Sequence, residues 1–185
     1  DCAFSPDGTL IASAGADGTV RLTDARSGAE RLVFTGHDRA VSACAFAPDG
    51  SWVASAGADR TVKVWDCASG LERASYSGHT DVVNDCATAP DGSFLVSVSV
   101  DGTMKMWAAT SLQVDAAAVA QHGGWVNACA ISDDGDLAAS ASSDATVRLW
   151  DTRTGERRAV LAGHTSSVRG CLFGPGKGRL VSASA

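Results

Sequence analysis

Residues 36–66 read GHDRAVSACAFAPDGSWVASAGADRTVKVWD, and residues 78–108 read GHTDVVNDCATAPDGSFLVSVSVDGTMKMWA. Both open on Gly-His and carry Pro-Asp-Gly at the same offset, 42 residues apart. Working outward, Gly-His returns at Gly163-His164 and Gln121-His122 fills the remaining slot, so successive histidines lie 42, 43 and 42 residues apart. Pro-Asp-Gly also occupies residues 6–8, 48–50 and 90–92, with Asp133-Asp134-Gly135 and then Pro175-Gly176 in the following slots. Residues 1–37 aligned on residues 43–79 are identical at 21 of 37 positions, more than a shared turn type produces. The chain is a tandem array of units at approximately 1–35, 36–77, 78–120, 121–162 and 163–185, the last incomplete.

Within one unit, hydrophobic alternation and turn residues set out four strands. Val41 to Phe46 is the first, Trp52 to Ala56 the second, Thr61 to Trp65 the third and Glu72 to Tyr76 the fourth, separated by turns at Pro48-Asp49-Gly50, Gly57 to Arg60 and Gly70. A four-stranded sheet cannot bury both its faces alone, so such units must stack, and radial stacking about a channel gives a propeller. The fold class expected is all-β, with four-stranded antiparallel blades set radially in an open arc or part of a larger ring. The chain begins at Asp1, not methionine, and reads as part of a longer one, whose further blades are expected partners of these. The tetrad spacing set out below would then put an Asp directly after Ala185 and a His six residues before Asp1.

The composition narrows the function classes. Hydrophobic residues make up 45% of 185, ample for cores, and the formal charge of −6 with a pI near 5.0 repels a phosphate backbone, so no nucleic-acid partner is expected. No apolar run approaches the roughly 20 residues of a membrane helix, and the stretch from Val114 to Ala120 already contains Asp115, so no membrane insertion is expected.

Gly-His, Pro-Asp-Gly, Ser-Ala-Gly-Ala-Asp and Trp65-Asp66, recurring in order over the whole chain, resemble the WD-repeat β-propeller family. The departures are Thr23 in place of Trp, Ala108 in place of the Asp of Trp-Asp, and Gln121 in place of Gly. The resemblance implies a hydrogen-bonded tetrad in each blade: His37, Ser55, Asp59 and Trp65; His79, Ser97, Asp101 and Trp107; His122, Ser140, Asp144 and Trp150. In each set Asp follows His by 22 residues and Trp follows Asp by six. Indole NH to serine oxygen, serine hydroxyl to neutral imidazole, and imidazole NH to carboxylate would satisfy every member.

Ser, His and Asp also invite a hydrolase reading. A nucleophilic serine must face a cleft beside an oxyanion hole, with a base free to take its proton. Three copies at one period, each serine engaged by a tryptophan, point instead to structure, so no catalytic residue is assigned. Cys2, Cys44, Cys86, Cys129 and Cys171 also follow the period and read as packing residues, with only Cys67 outside it. No Cys or His pair has metal-ligand spacing and no cofactor motif stands out. Asp133, Asp134 and Asp136 lack the alternation of a calcium loop and fall in a turn slot, and the glycines around Gly15 and Gly18 precede no helix. Unpaired cysteines favour a reducing, intracellular compartment.

Residues that differ between equivalent slots are where a repeat protein carries specificity. Around the first strand's start the units read Ala40-Val41-Ser42, Val82-Val83-Asn84, Trp125-Val126-Asn127 and Ser167-Val168-Arg169. By resemblance, the residues flanking the valine, with the one before the tetrad Asp, lie on the narrower top face where partners dock. That implies an apolar cluster of Val82, Val100 and Trp125 bordered by Asn84, Asn127, Ser143 and Arg169; the alternative is that Trp125 fills space over Gly123-Gly124. The reading is a non-catalytic scaffold or adaptor for protein or peptide partners. The competing class is a regulatory arm of a larger signalling enzyme, an NTPase or kinase, with a propeller hydrolase behind it.

Overall fold

The computed structural model describes residues 1–109, 117–175 and 178–185. Val114 and Asp115 of the apolar stretch, and Gly176 of the last turn slot, lie outside the described residues. The first sheet holds β1 (Cys2–Phe4), β2 (Leu10–Ala14), β3 (Thr19–Asp24) and β4 (Glu30–Thr35), and the second β5 (Val41–Phe46), β6 (Trp52–Gly57), β7 (Thr61–Asp66) and β8 (Glu72–Ser77). The third comprises β9 (Val83–Thr88), β10 (Phe94–Ser99), β11 (Thr103–Ala108) and β12 (Ala117–Gln121). The fourth comprises β13 (Val126–Ile131), β14 (Leu137–Ser142), β15 (Thr146–Asp151) and β16 (Arg157–Ala162), and a two-stranded fifth sheet pairs β17 (Val168–Phe173) with β18 (Leu180–Ser184). Neighbouring strands are antiparallel throughout. No helix occurs among the described residues, so none crosses a membrane. The sheets are the blades of a partial, unclosed propeller.

Each hydrophobic core lies between two sheets rather than within one. Val20, Leu22 and Phe34 of the first sheet pack with Cys44, Val53 and Trp65 of the second. Trp52, Val64 and Tyr76 of the second meet Val83, Leu95 and Trp107 of the third. The aromatic contacts repeat with the period: Phe34 stacks on Trp65 at 5.5 Å and Tyr76 on Trp107 at 5.3 Å between ring centroids. Burying a side chain of this size stabilises by about 2–3 kcal/mol, and here that gain arises only when two blades meet. Trp52 is one of these core residues, as its shared slot with Leu10, Phe94 and Leu137 suggests.

The Pro-Asp-Gly turns interlock along one rim. Gly50, Gly92 and Gly135 have φ of 71°, 71° and 75°, a left-handed conformation that favours glycine. A Cβ on each would meet the proline of the preceding turn at 3.6–3.7 Å, so Pro6, Pro48 and Pro90 rest on the next blade's turn. Asp133-Asp134-Gly135 is such a turn, with the Ser132 hydroxyl donating to Asp134 at 2.7 Å.

One irregularity falls where the variable residues lie. The register of the first strand against the second slips between Val41 and Ala43, Val126 and Ala128, and Val168 and Gly170, and opposite Asn84 in the third sheet. Ser42, Asn84, Asn127 and Arg169 are thus the extra residues of β-bulges, which re-aim a side chain out of the pleat.

Candidate functional site

The tetrads are built from four local elements of one blade: the loop before the first strand supplies His, the second strand Ser, the turn after it Asp, and the third strand Trp. His37 Nε2 lies 2.8 Å from Ser55 Oγ and its Nδ1 2.8 Å from Asp59 Oδ2, while Trp65 Nε1 donates to Ser55 Oγ at 2.8 Å. The same three separations are 2.8, 2.9 and 2.7 Å in the His79 set and 2.7, 2.9 and 2.9 Å in the His122 set. In the fifth sheet His164 Nε2 lies 2.8 Å from Ser182 Oγ. In the first, Asp17 is exposed and paired with Arg21, with Thr23 in the tryptophan slot.

Electrostatics fix the direction of each relay. Burial pushes the pKa of His37, His79 and His122 down against the opposing pull of their aspartates, so the rings are neutral at pH 7. A neutral ring that donates from Nδ1 to the carboxylate must accept at Nε2 from the serine hydroxyl, leaving the serine oxygen to accept from the indole. Burial also opposes ionisation of Asp101, but the Thr103 hydroxyl, the Thr80 amide and His79 outweigh it and bring its pKa down to about 2. Asp59 and Asp144 are likewise held below the ordinary carboxylate range against burial, through Thr61 and His37 in one case and Thr146 and His122 in the other.

These threonines are members that sequence reading missed. Thr61, Thr103 and Thr146 donate through both NH and hydroxyl to their Asp, the hydroxyl bonds being 2.6–2.7 Å long. Their signal was present, because Thr19, Thr61, Thr103 and Thr146 follow the period two residues after each Asp.

Other links run between blades. Asp85, in β9, accepts the NH of Cys86 at 2.8 Å and that of Cys129 in the next blade at 2.9 Å, and Asp1 accepts the Cys44 NH in the same way at 3.0 Å. Burial pushes Asp85 up to about 6, despite these amides. An Asp-Cys pair in the same slot of two units, at residues 1–2 and 85–86, marks these links in the sequence. All six cysteines are free thiols; Cys44, Cys86 and Cys129 are buried, Cys67 and Cys171 half-buried, and Cys2 of the first sheet exposed.

The rim opposite the Pro-Asp-Gly turns carries the histidine loops and the turns after the second strands. Backbone bonds tie the two together in the second to fifth sheets: Ala58 NH to Ala40 O at 2.8 Å, Val100 to Val82 at 3.0 Å, Ser143 to Trp125 at 2.8 Å and Ala185 to Ser167 at 3.1 Å. Val82 and Val100 are thus joined on the third blade and Trp125 and Ser143 on the fourth. The valines and Ser143 are half-buried, Arg169 is exposed, and Trp125 is 61% exposed. Asn84 and Asn127 point into the assembly: Asn84 Nδ2 donates to Val126 O at 2.8 Å, and Asn127 Nδ2 to Val168 O at 2.8 Å and Ser167 Oγ at 3.1 Å. The bulges turn both amides toward the next blade's first strand.

The family model described as WD domain, G-beta repeat matches residues 1–24, 28–66, 70–108, 116–151 and 155–185. After the first, each matched segment starts in or just before the fourth strand of one sheet and takes in the leading strands of the next, so the family's repeat straddles two blades. Comparison with curated proteins gives no match. Five matched repeats that span the chain, folded as four four-stranded blades and a two-stranded fifth sheet, establish that it belongs to the WD-repeat family, whose propellers generally bind protein partners and are generally non-catalytic.

Proposed function

We propose that the chain is a non-catalytic docking platform for protein or peptide partners, engaged through the rim that carries the histidine loops. The observation that carries this reading is the exposure of Trp125, 61% open to solvent in a slot where the other blades have Ala40, Val82 and Ser167. A space-filling tryptophan over Gly123-Gly124 would be covered; this one is not. Val82 and Val100 on the preceding blade extend the apolar surface, and a rigid sheet edge presents such an anchor at little ordering cost. A hydrolytic role has no support in the tetrads, since Ser55, Ser97 and Ser140 are fully buried and each oxygen is engaged by both an indole and an imidazole.

Trp125→Ala tests the assignment. Affinity for a recovered partner should fall by about 2 kcal/mol or more, roughly thirty-fold, with Arg153→Ala on the opposite rim as the unchanged control. Melting curves recorded beside the titrations should move far less than affinity. Unchanged affinity, or a loss accounted for by unfolding, would remove this rim as the docking site.

A further inference from the structure

The proposed docking rim has a charge pattern as well as an anchor. Arg39, Arg60 and Arg169 are exposed on it, and none of the three guanidiniums has a hydrogen bond or ion pair among the described residues. Elsewhere, Arg21, Arg31, Arg73, Arg148, Arg153 and Arg158 are paired with carboxylates, whereas Arg26, Arg157 and Arg179 are exposed with no such pair among the described residues. The order along the arc is cationic, apolar, cationic: Arg39 and Arg60 on the second blade, Val82 and Val100 on the third, Trp125 on the fourth and Arg169 on the fifth. The acidic turn residues Asp7, Asp49, Asp91 and Asp133 lie on the opposite rim.

Arg60 has φ +71°, in the left-handed region that disfavours side chains; the equivalent residues are Gly18 and Gly102 at +82° and +81°, and Ala145 at +64°. At Gly18 a Cβ would come within 3.0 Å of His37 O and 3.1 Å of Arg39 O, whereas the second and fourth blades hold a side chain in this slot. Of the two side chains held in this strained conformation, Arg60 alone carries an exposed and unpaired guanidinium, where Ala145 carries a methyl group.

We infer that this rim receives a peptide segment in which Asp or Glu residues flank a large apolar residue, the apolar group seated on Trp125 and the valines and the carboxylates met by Arg60, Arg39 and Arg169. The inference rests on the docking reading above and adds the chemistry of the partner. Guanidiniums match carboxylates in paired hydrogen bonds, and their separation onto different blades suits single charges spaced along a chain rather than one phosphate dianion. Asp38 and Asp81 share the rim, and with the chain's charge of −6 they oppose a polyanion such as nucleic acid.

The test is panning of a random twelve-residue peptide library displayed on phage against the full chain, followed by titration of synthesised peptides by fluorescence anisotropy. Enriched peptides should combine Asp or Glu with a Trp, Phe or Leu, lose at least about tenfold in affinity with Trp125→Ala, and weaken as salt is raised. Arg60→Gly should weaken them about fivefold without lowering the melting temperature, because glycine suits that backbone. A purely structural Arg60 would show the reverse, with lost stability and kept affinity. Peptides that need Trp125 but are neutral or basic, or that gain tenfold when phosphoserine replaces glutamate, would overturn the acidic-segment inference and leave the docking rim standing. Peptides that bind Trp125→Ala as well as the parent chain, or no enrichment at all, would overturn both.

Discussion

Trp65→Phe isolates one bond of a tetrad. The indole donates to a serine oxygen with no solvent access, at 2.8 Å, and its ring is stacked nearly parallel on Phe34, 9° between planes. Phenylalanine keeps the stacking and most of the volume but removes the donor. Ser55 still donates to His37, so the loss is one unmet acceptor, about 1–3 kcal/mol, plus about 1 kcal/mol for the space the smaller ring leaves. A total of about 2–4 kcal/mol corresponds to a fall in melting temperature of roughly 4–16 °C for a chain of this size. Ser55→Ala strands two groups, Trp65 Nε1 and His37 Nε2, and should cost a similar amount. The double variant should lose less than the sum, since both changes break the same bond. Urea titrations followed by circular dichroism, with slopes compared between variants, would read the effect. A Trp65→Phe change within about 0.5 kcal/mol of the parent would refute the relay as a stabilising network. An esterase or peptidase activity lost in Ser55→Ala at unchanged stability would restore the catalytic reading.

Other expectations concern pH and the links between blades. The neutral forms of His37, His79 and His122 are favoured by the fold, so their contribution is complete above the unfolded pKa near 6.5 and is lost as pH falls through the lower folded values. Asp85 works in the opposite sense: raised from 3.8 to about 6, it contributes fully below the unfolded value and loses that contribution as pH rises through about 6. Melting temperature should therefore climb more steeply between about pH 4 and pH 6 in Asp85→Asn than in the parent, and an unchanged slope would mean Asp85 titrates normally. Asn127→Ala removes two bonds to the fifth sheet and should destabilise it by about 1–2 kcal/mol, seen as faster amide hydrogen exchange in β17, while leaving exchange in the first sheet untouched.

The blades were legible in the sequence because they are local, and so are the tetrads that the family resemblance implied. Strand alternation, the Pro-Asp-Gly turns and the spacing from His37 to Asp59 to Trp65 all operate within one unit, and the period repeats them until chance is excluded as their source. The strands came out within a residue of expectation, with β6, β7 and β8 each running one residue further. Thr61 was legible too, in retrospect, because it keeps the same period.

What only the tertiary structure decided is how one blade meets the next. Phe34 on Trp65, Asp85 on the Cys129 amide and Asn84 on the Val126 carbonyl join residues in different sheets, and the register that aligns them is set by how two finished sheets pack face to face. The bulges at Asn84, Asn127 and Arg169 belong to the same class. Strict alternation assigns all three residues to one face, but a bulge breaks the period of two, and the amides of Asn84 and Asn127 turn toward the neighbouring blade. Trp125 could be read as filler or as anchor from sequence alone, because exposure is a property of what surrounds a side chain, and that is known only once the blades are assembled.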